Sequence, residues 1–219
     1  DQTETVFVVP RNYLQLESGF MYEKTNETDK HLHLPTILWK FGLNDKVELR
    51  VITEFSKTIT NSENIYQLQP ISLGFKTALI EEKGIIPKIS FIGKAELRKS
   101  EILQRKTITP AFRFTFQNNI NDKTSLGYNL GMFWNENLQE TYLYTFALGK
   151  TITPQLNYFV EMYGFISPDL PADHRINGGF TYLVNNDFML DTSARIGLSE
   201  KSAKYFISLG ISYRIKLFP

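Results

Sequence analysis

The segment "DHRINGG" holds the residues of this chain that come nearest to a catalytic pair. His174 and Asn177 are a general base and an orienting amide of the kind that a serine hydrolase uses. Such a site also needs a serine beside the histidine, and Ile176 stands where phospholipase-like motifs have one. We therefore predict no catalytic residues and no enzymatic activity, and a lipid hydrolase stays as an alternative.

The remaining groups that bind metals do not form a ligand set. The chain has 3 histidines and no cysteine, which excludes a thiolate site and a disulfide framework. His31 and His33 are one strand period apart and supply at most half of a metal site. The carboxylates of "TNETD" and "SPDLPADH" lack the ordered oxygen spacing of a calcium loop. We predict no metal and no cofactor.

Charged side chains recur in the middle of segments that alternate between apolar and polar residues, and they lie on the polar face. Cations outnumber acids among them. Two interpretations stay open: a water-filled path that prefers anions, or a closed network of buried ion pairs. Besides Glu17, the residues predicted to line this interior are Lys40, Glu48, Arg50, Glu54, Lys76, Lys94, Glu96, Arg98, Arg113, Glu161, Arg175, Asp191, Arg195 and Arg214.

The segments that must position these charges have a period of two. Near the C-terminus, Ile207 and Leu209 share one face, whereas Ser208 and Gly210 share the other. Such alternation predicts β-strands. About twelve segments alternate in this way, namely residues 13–22, 31–41, 46–56, 70–79, 88–98, 111–117, 125–134, 141–149, 156–165, 175–184, 188–198 and 204–219.

Bulk properties narrow the class of protein. A formal net charge of +1 over 219 residues argues against a nucleic-acid partner. No apolar run approaches the roughly 18 residues of a transmembrane helix. The start "DQTETVFVVP" lacks the basic and apolar regions of a signal peptide. Either the chain was never exported or its signal is already removed.

Short connections alternate with longer, more polar ones. "GLNDK" and "VNND" have turn chemistry, whereas "SKTITNSENIYQ" and "RKSEILQRK" are longer loops. Short turns on the periplasmic side and longer loops outside are typical of an up-and-down membrane barrel. An even number of strands then places both termini on the periplasmic side.

Two features favour lipid over a soluble core as the environment of the apolar faces. Most alternating runs have the roughly 9–11 residues that a tilted membrane strand needs. Aromatic residues lie near both ends of the runs, such as Trp134 at a loop end and Phe41 at a turn end. We predict an all-β fold, a closed antiparallel up-and-down transmembrane β-barrel of about twelve strands. Its last strand, with Phe218 near the terminus, pairs with the first, near residues 13–23.

Several longer phrases also resemble a known family. On them the chain resembles bacterial outer-membrane barrels labelled as transporters or as "putative MetA-pathway of phenol degradation". The resemblance spans nearly the whole chain and implies a barrel in the outer membrane and transport, with no catalytic residue to carry over. The phrases are "DQTETVFVVPRNYLQLESGF", "GLNDKVELRV", "PISLGFKTAL", "GYNLG", "DHRINGGFTYLVNNDFMLDTSARIGLS" and "YFISLGISYR".

These observations divide the chain into an extended N-terminal periplasmic segment, residues 1–12, and a transmembrane barrel, residues 13–219. We predict a passive channel or transporter for small anionic or aromatic solutes in the bacterial outer membrane. Its partners would be the lipid bilayer and other outer-membrane proteins. The alternative is a non-conducting subunit of a larger outer-membrane complex. The N-terminal segment would either plug the lumen from below or bind a neighbour.

Overall fold

The alternating segments form β-strands. The computed structural model describes residues 2–60, 63–200 and 202–217, and within them no helix is long and apolar enough to cross a membrane. The strands in this part of the chain are β1 (Tyr13–Lys24), β2 (Lys30–Asn44), β3 (Val47–Ile59), β4 (Asn64–Leu68), β5 (Ser72–Ile80), β6 (Lys88–Ser100), β7 (Arg105–Asn121), β8 (Thr124–Trp134), β9 (Glu140–Thr151), β10 (Leu156–Ile166), β11 (Asp173–Asn185), β12 (Phe188–Gly197) and β13 (Tyr205–Lys216).

The strands close into a barrel because the first pairs with the last. β1 runs antiparallel to β13 from the pair Tyr13 and Lys216 to the pair Lys24 and Tyr205. The remaining neighbours follow the chain in antiparallel order. The prediction of a closed up-and-down barrel of about twelve strands is therefore confirmed. Phe218, which belongs to the predicted C-terminal pattern, lies outside the described residues.

One barrel strand is interrupted, which the sequence did not predict. β4 pairs with the loop end of β3, and β5 pairs with the turn end of the same strand. Between β4 and β5 lies Pro70, which has no backbone N–H to donate to a ladder. The stretch "SKTITNSENIYQ", predicted to be a polar loop, thus contains most of a further strand.

The distribution of side chains is the reverse of that in a soluble domain. Leu209 and Leu130 on the outer face are 61% and 53% exposed, whereas the charged Lys76 on the inner face is 0% exposed. Aromatic rings pair on the outer face near the turn end, where Phe116 stacks on Tyr128 with ring centroids 4.9 Å apart. An apolar outer band around a polar interior is what a bilayer requires of a barrel.

The depth at which an outward-facing residue lies in the bilayer determines how much free energy of unfolding is lost when a charged residue replaces it. Leu209→Arg, in the middle of β13, should lower the free energy of unfolding in lipid vesicles by about 2–4 kcal/mol. The matched control is Leu43→Arg at the end of β2, where Leu43 is similarly exposed (50%) but lies beside a turn. There the loss should not exceed about 1 kcal/mol. Equal losses in denaturant titrations of both variants would contradict an outer face in lipid.

Candidate functional site

The N-terminal segment, residues 2–12, lies inside the barrel. Its residues Val6 and Val9 are 0% and 5% exposed. The Ser90 Oγ donates a 2.5 Å hydrogen bond to the Val6 carbonyl. The Val9 N–H donates to Glu48 Oε2 over 2.7 Å. The segment predicted from the sequence to be periplasmic therefore runs from the turn end into the lumen.

The chain passes from the lumen into β1 at Asn12. Asn12 has a left-handed backbone (φ 66°), a conformation that asparagine tolerates better than most residues. Its N–H donates to the Gly42 carbonyl over 2.9 Å. A Cβ added at Gly42 would lie 2.0 Å from the Pro10 carbonyl oxygen. Glycine at this position in β2 therefore lets the segment pass close against the wall.

The tip of the segment is held by two polar residues of the opposite wall. Glu161, 0% exposed, accepts hydrogen bonds from the N–H groups of Gln2 and Thr3, both over 2.9 Å. Asn129 accepts from the Glu4 N–H over 2.7 Å and donates to the Glu4 carbonyl over 3.0 Å. A buried carboxylate is costly without donors, and the segment supplies them here.

Glu4 links the segment to the cations of the wall. Its carboxylate lies 2.6 Å from Arg50 Nη2 and 3.6 Å from Lys76 Nζ. Burial opposes ionisation of Glu4, but the attraction of Arg50, Lys76 and Lys40 outweighs it and holds the pKa of Glu4 well below its usual value. The 28% of the side chain that is accessible borders the internal cavities.

The segment leaves two cavities in the lumen. The small cavity, about 440 Å³, lies toward the loop end between β3 and β10. The large cavity, about 910 Å³, extends along β1, β2 and β10 to β13. Gln2, Glu4 and Arg113 border both. The lumen is thus divided by the N-terminal segment rather than filled.

A second charged cluster lies near the loop end of the large cavity. Arg195 donates hydrogen bonds to the Glu23 carboxylate and to the Tyr163 hydroxyl. Its guanidinium lies 4.1 Å from the Phe206 ring centroid. Arg175 lies 3.7 Å from the same Glu23 carboxylate. This cluster and the contacts of Glu4 are the paired network that the closed-lumen interpretation expects.

The structure distributes the residues predicted to line the lumen over both cavities. That they line a permeation path stays a prediction. Lys76 and Glu161 are buried against the N-terminal segment and border neither cavity. The small cavity is bordered by Arg50, Lys94, Glu96, Arg98 and Arg113, and the large one by Lys40, Glu48, Glu54, Arg113, Arg175, Asp191, Arg195 and Arg214, with Glu17.

Glu4, Glu23 and Asn129 are not among the residues predicted from the sequence to line the lumen. Glu23 continues the polar face of β1, so extending the alternation by one step would have found it. Asn129 also lies on a polar face, but only the position of the N-terminal segment gives it a partner. Glu4 lies in no alternating strand, so no sequence pattern marks it.

The candidate catalytic and metal residues are not brought together. His174 contacts the Tyr144 hydroxyl over 2.7 Å. Asn177 lies three residues further along β11 and donates to Glu161 on the inner face. Their side chains therefore lie on opposite faces of the wall. His31 contacts Thr58, and His33 contacts Glu54. Within the described residues, no group of three or more His, Cys, Asp or Glu could hold a metal.

Comparisons with known proteins identify the class. The NanC porin has a TM-score of 0.63 at 7% identity, covering 92% of this chain and 100% of that one. The KdgM porin has 0.57 at 10%, covering 91% and 98%. The translocator domain of the autotransporter NalP from Neisseria meningitidis has 0.53 at 11%, covering 93% and 87%. The fold is that of an outer-membrane β-barrel.

The family is also established. The chain belongs to the family described as "Putative MetA-pathway of phenol degradation", which it matches over residues 1–215. The resemblance noted from the sequence is therefore confirmed. No curated protein matches the chain.

The pairing of Glu4 can be tested by removing its charge. Glu4→Gln leaves Arg50 and Lys76 buried with fewer carboxylate partners, and the free energy of unfolding should fall by about 3–5 kcal/mol. Denaturant titration in lipid vesicles measures it. The control is Glu27→Gln, whose exposed carboxylate pairs with Lys204 in the loops and whose loss should have no measurable effect. If Glu4→Gln left the free energy of unfolding unchanged, the segment would not depend on this contact.

Proposed function

We propose that the protein is a passive outer-membrane channel for small solutes, closed at rest by its N-terminal segment. The observation that carries the proposal is the pair of cavities on either side of that segment, inside a closed barrel and bordered by charged side chains. A barrel of about twelve strands has room for a narrow water path once the segment moves. The fold shared with the NanC and KdgM porins supports this function.

The segment is held mostly by polar contacts, with two buried valines, Val6 and Val9, among them. Its contacts with the wall are mainly hydrogen bonds and ion pairs, through Glu161, Asn129 and Glu48. When the whole segment leaves, water enters the lumen and can hydrogen-bond to the wall groups that the segment releases. Displacement of the segment therefore does not require the barrel wall to open.

The lumen favours anions less strongly than the sequence alone predicts. Glu4 and Glu23 add carboxylates to the interior, and both pair with predicted lumen cations. Arg113 is different, since it donates to the Gln2 carbonyl and the Asn129 amide. Among the described residues it has no carboxylate within ion-pair distance. We assign anion preference mainly to this guanidinium and to Lys94.

The proposal includes no catalysis and places both termini on the periplasmic side. His174 and Asn177 face opposite sides of the wall, so the hydrolase alternative lacks its pair. The short connections lie at the end where residues 12 and 217 lie, as in barrels with periplasmic turns. The network around Glu4 favours the second candidate, a non-conducting subunit, and conductance separates the two.

Crowding at Gly42 tests whether the segment closes the lumen. Gly42→Ala places a Cβ against the Pro10 carbonyl and should displace the segment, giving a larger single-channel conductance in planar bilayers than the wild type. The control is Gly19→Ala on the inner face of β1, where an added Cβ meets its nearest atom at 4.0 Å. Its conductance should equal that of the wild type.

Two results would contradict the proposal. If Gly42→Ala exposes the segment to hydrogen exchange and still does not conduct, the protein is a closed subunit rather than a channel. If the wild type conducts as well as Gly42→Ala, the segment does not close the path.

Charge selectivity can be measured in the opened variant. Gly42→Ala should prefer anions at 0.1 M salt, where the Debye length of about 10 Å is comparable to the pore width, and lose the preference near 1 M. Adding Arg113→Gln should weaken the preference. Adding Lys99→Gln, which removes an exposed cation outside the lumen, should not. Reversal potentials in a salt gradient report all three, and a cation preference would contradict the inward assignment of these residues.

A further inference from the structure

The small cavity has two walls of different chemistry. On one side, β6 presents Lys94, Glu96 and Arg98, and the floor carries Arg50 and Arg113. The charged groups of Lys94 and Arg98 are within reach of the cavity, since their side chains are 39% and 36% exposed inside the barrel. This wall presents mainly cations.

The facing wall is apolar. Leu143 of β9 is 5% exposed. Phe133 and Phe165 meet edge to face with ring centroids 6.2 Å apart. All three border the same cavity, and on the side of the cations Ile52 and Ile92 add to its apolar lining. These are inward positions that, elsewhere in the lumen, carry polar or charged residues.

The cations of this cavity are incompletely neutralised. Lys94 and Arg98 share one carboxylate, Glu96, which lies 2.7 Å from Arg98 Nη2 and 3.4 Å from Lys94 Nζ. In the described part of the chain Lys94 has no other carboxylate partner. Arg113 donates only to neutral oxygens. An anion between them would therefore gain partners without displacing an existing ion pair.

From these two walls we infer that the small cavity is a binding site for small monocarboxylates that carry an apolar aryl or alkyl body. The carboxylate lies between Lys94 and Arg113, and the body lies against Leu143, Phe133 and Phe165. The cavity volume of about 440 Å³ is within the usual range for small-molecule sites. The inference rests on the proposed function and names its substrate class.

The acids in the cavity set the charge of the ligand. Glu4, Glu96 and Glu136 border it along with the cations. A dianion such as a phosphate ester would be repelled by these carboxylates, and a cation would lie among the wall's cations. A neutral molecule would leave Lys94 and Arg113 without new partners. A single negative charge complements the wall best.

The ligand preference is tested by calorimetry of the full chain in detergent micelles. Benzoate should bind, and acetate, which lacks the apolar body, should bind at least about tenfold more weakly. Benzyl alcohol, which lacks the charge, should also be at least about tenfold weaker. Benzylammonium should not bind. Raising the salt from 0.1 M to 1 M should weaken benzoate binding.

The position of the site is tested by variants of one strand. Lys94→Gln should weaken benzoate binding about tenfold, and it leaves the Arg98–Glu96 pair intact, so the wall keeps its structure. Lys99→Gln is the matched control, with the same charge change on β6 outside the cavity. It should bind as the wild type does. Resistance of the folded barrel to denaturation by detergent at room temperature verifies both variants.

Different results overturn the inference and the proposed function. Benzoate that binds no more tightly than acetate or benzyl alcohol overturns the inference, and so does binding unaffected by Lys94→Gln. If the Gly42→Ala barrel nevertheless conducts, the channel function stands without this substrate class. If benzoate binds as expected and the opened barrel does not conduct, the site stands and the channel function fails.

Discussion

The ladder between β1 and β13 is the contact on which the rest of the structure depends. It gives each end of the chain a hydrogen-bonded neighbour, so the wall has no open edge along the seam. Because the seam is closed, the apolar faces can point outward to lipid without a second protein layer. The same closure confines the charged faces to the lumen, where they must find partners in one another or in the N-terminal segment.

That confinement explains why the segment is polar in its contacts. Wall residues such as Glu161 and Lys76 are 0% exposed and cannot all be paired along or across strands. The N–H groups of Gln2 and Thr3 donate to Glu161, and the Glu4 carboxylate lies within ion-pair distance of both Arg50 and Lys76. A buried charge without a partner is strongly destabilising. The segment therefore contributes to the stability of the wall as well as to the closure of the lumen.

The architecture could be predicted from the sequence because a strand's alternation fixes both its structure and its faces. A period of two places Leu209 and Arg50 on an apolar and a polar face, and strand length with the aromatic residues at the strand ends indicates that the apolar face is the outward one. β4 could not be predicted in this way, because its residues Asn64–Leu68 are exposed on both faces and lack a buried pattern. The partners of Glu4 and Glu161 were also out of reach, because contacts between the lumen and a non-strand segment leave no periodic signal.

The interruption at Pro70 has a consequence for how the barrel stands in its membrane. β4 pairs with β3 alone, and the described residues give its other edge no partner. Beside it, β6 is paired with β5 only up to Glu96. Unpaired backbone groups are not tolerated in hydrocarbon, so the upper half of this side of the wall must stand in water. The hydrocarbon boundary at the loop end therefore lies no higher than residues 69–71, and the tall β3–β4 and β6–β7 hairpins rise above the lipid headgroups.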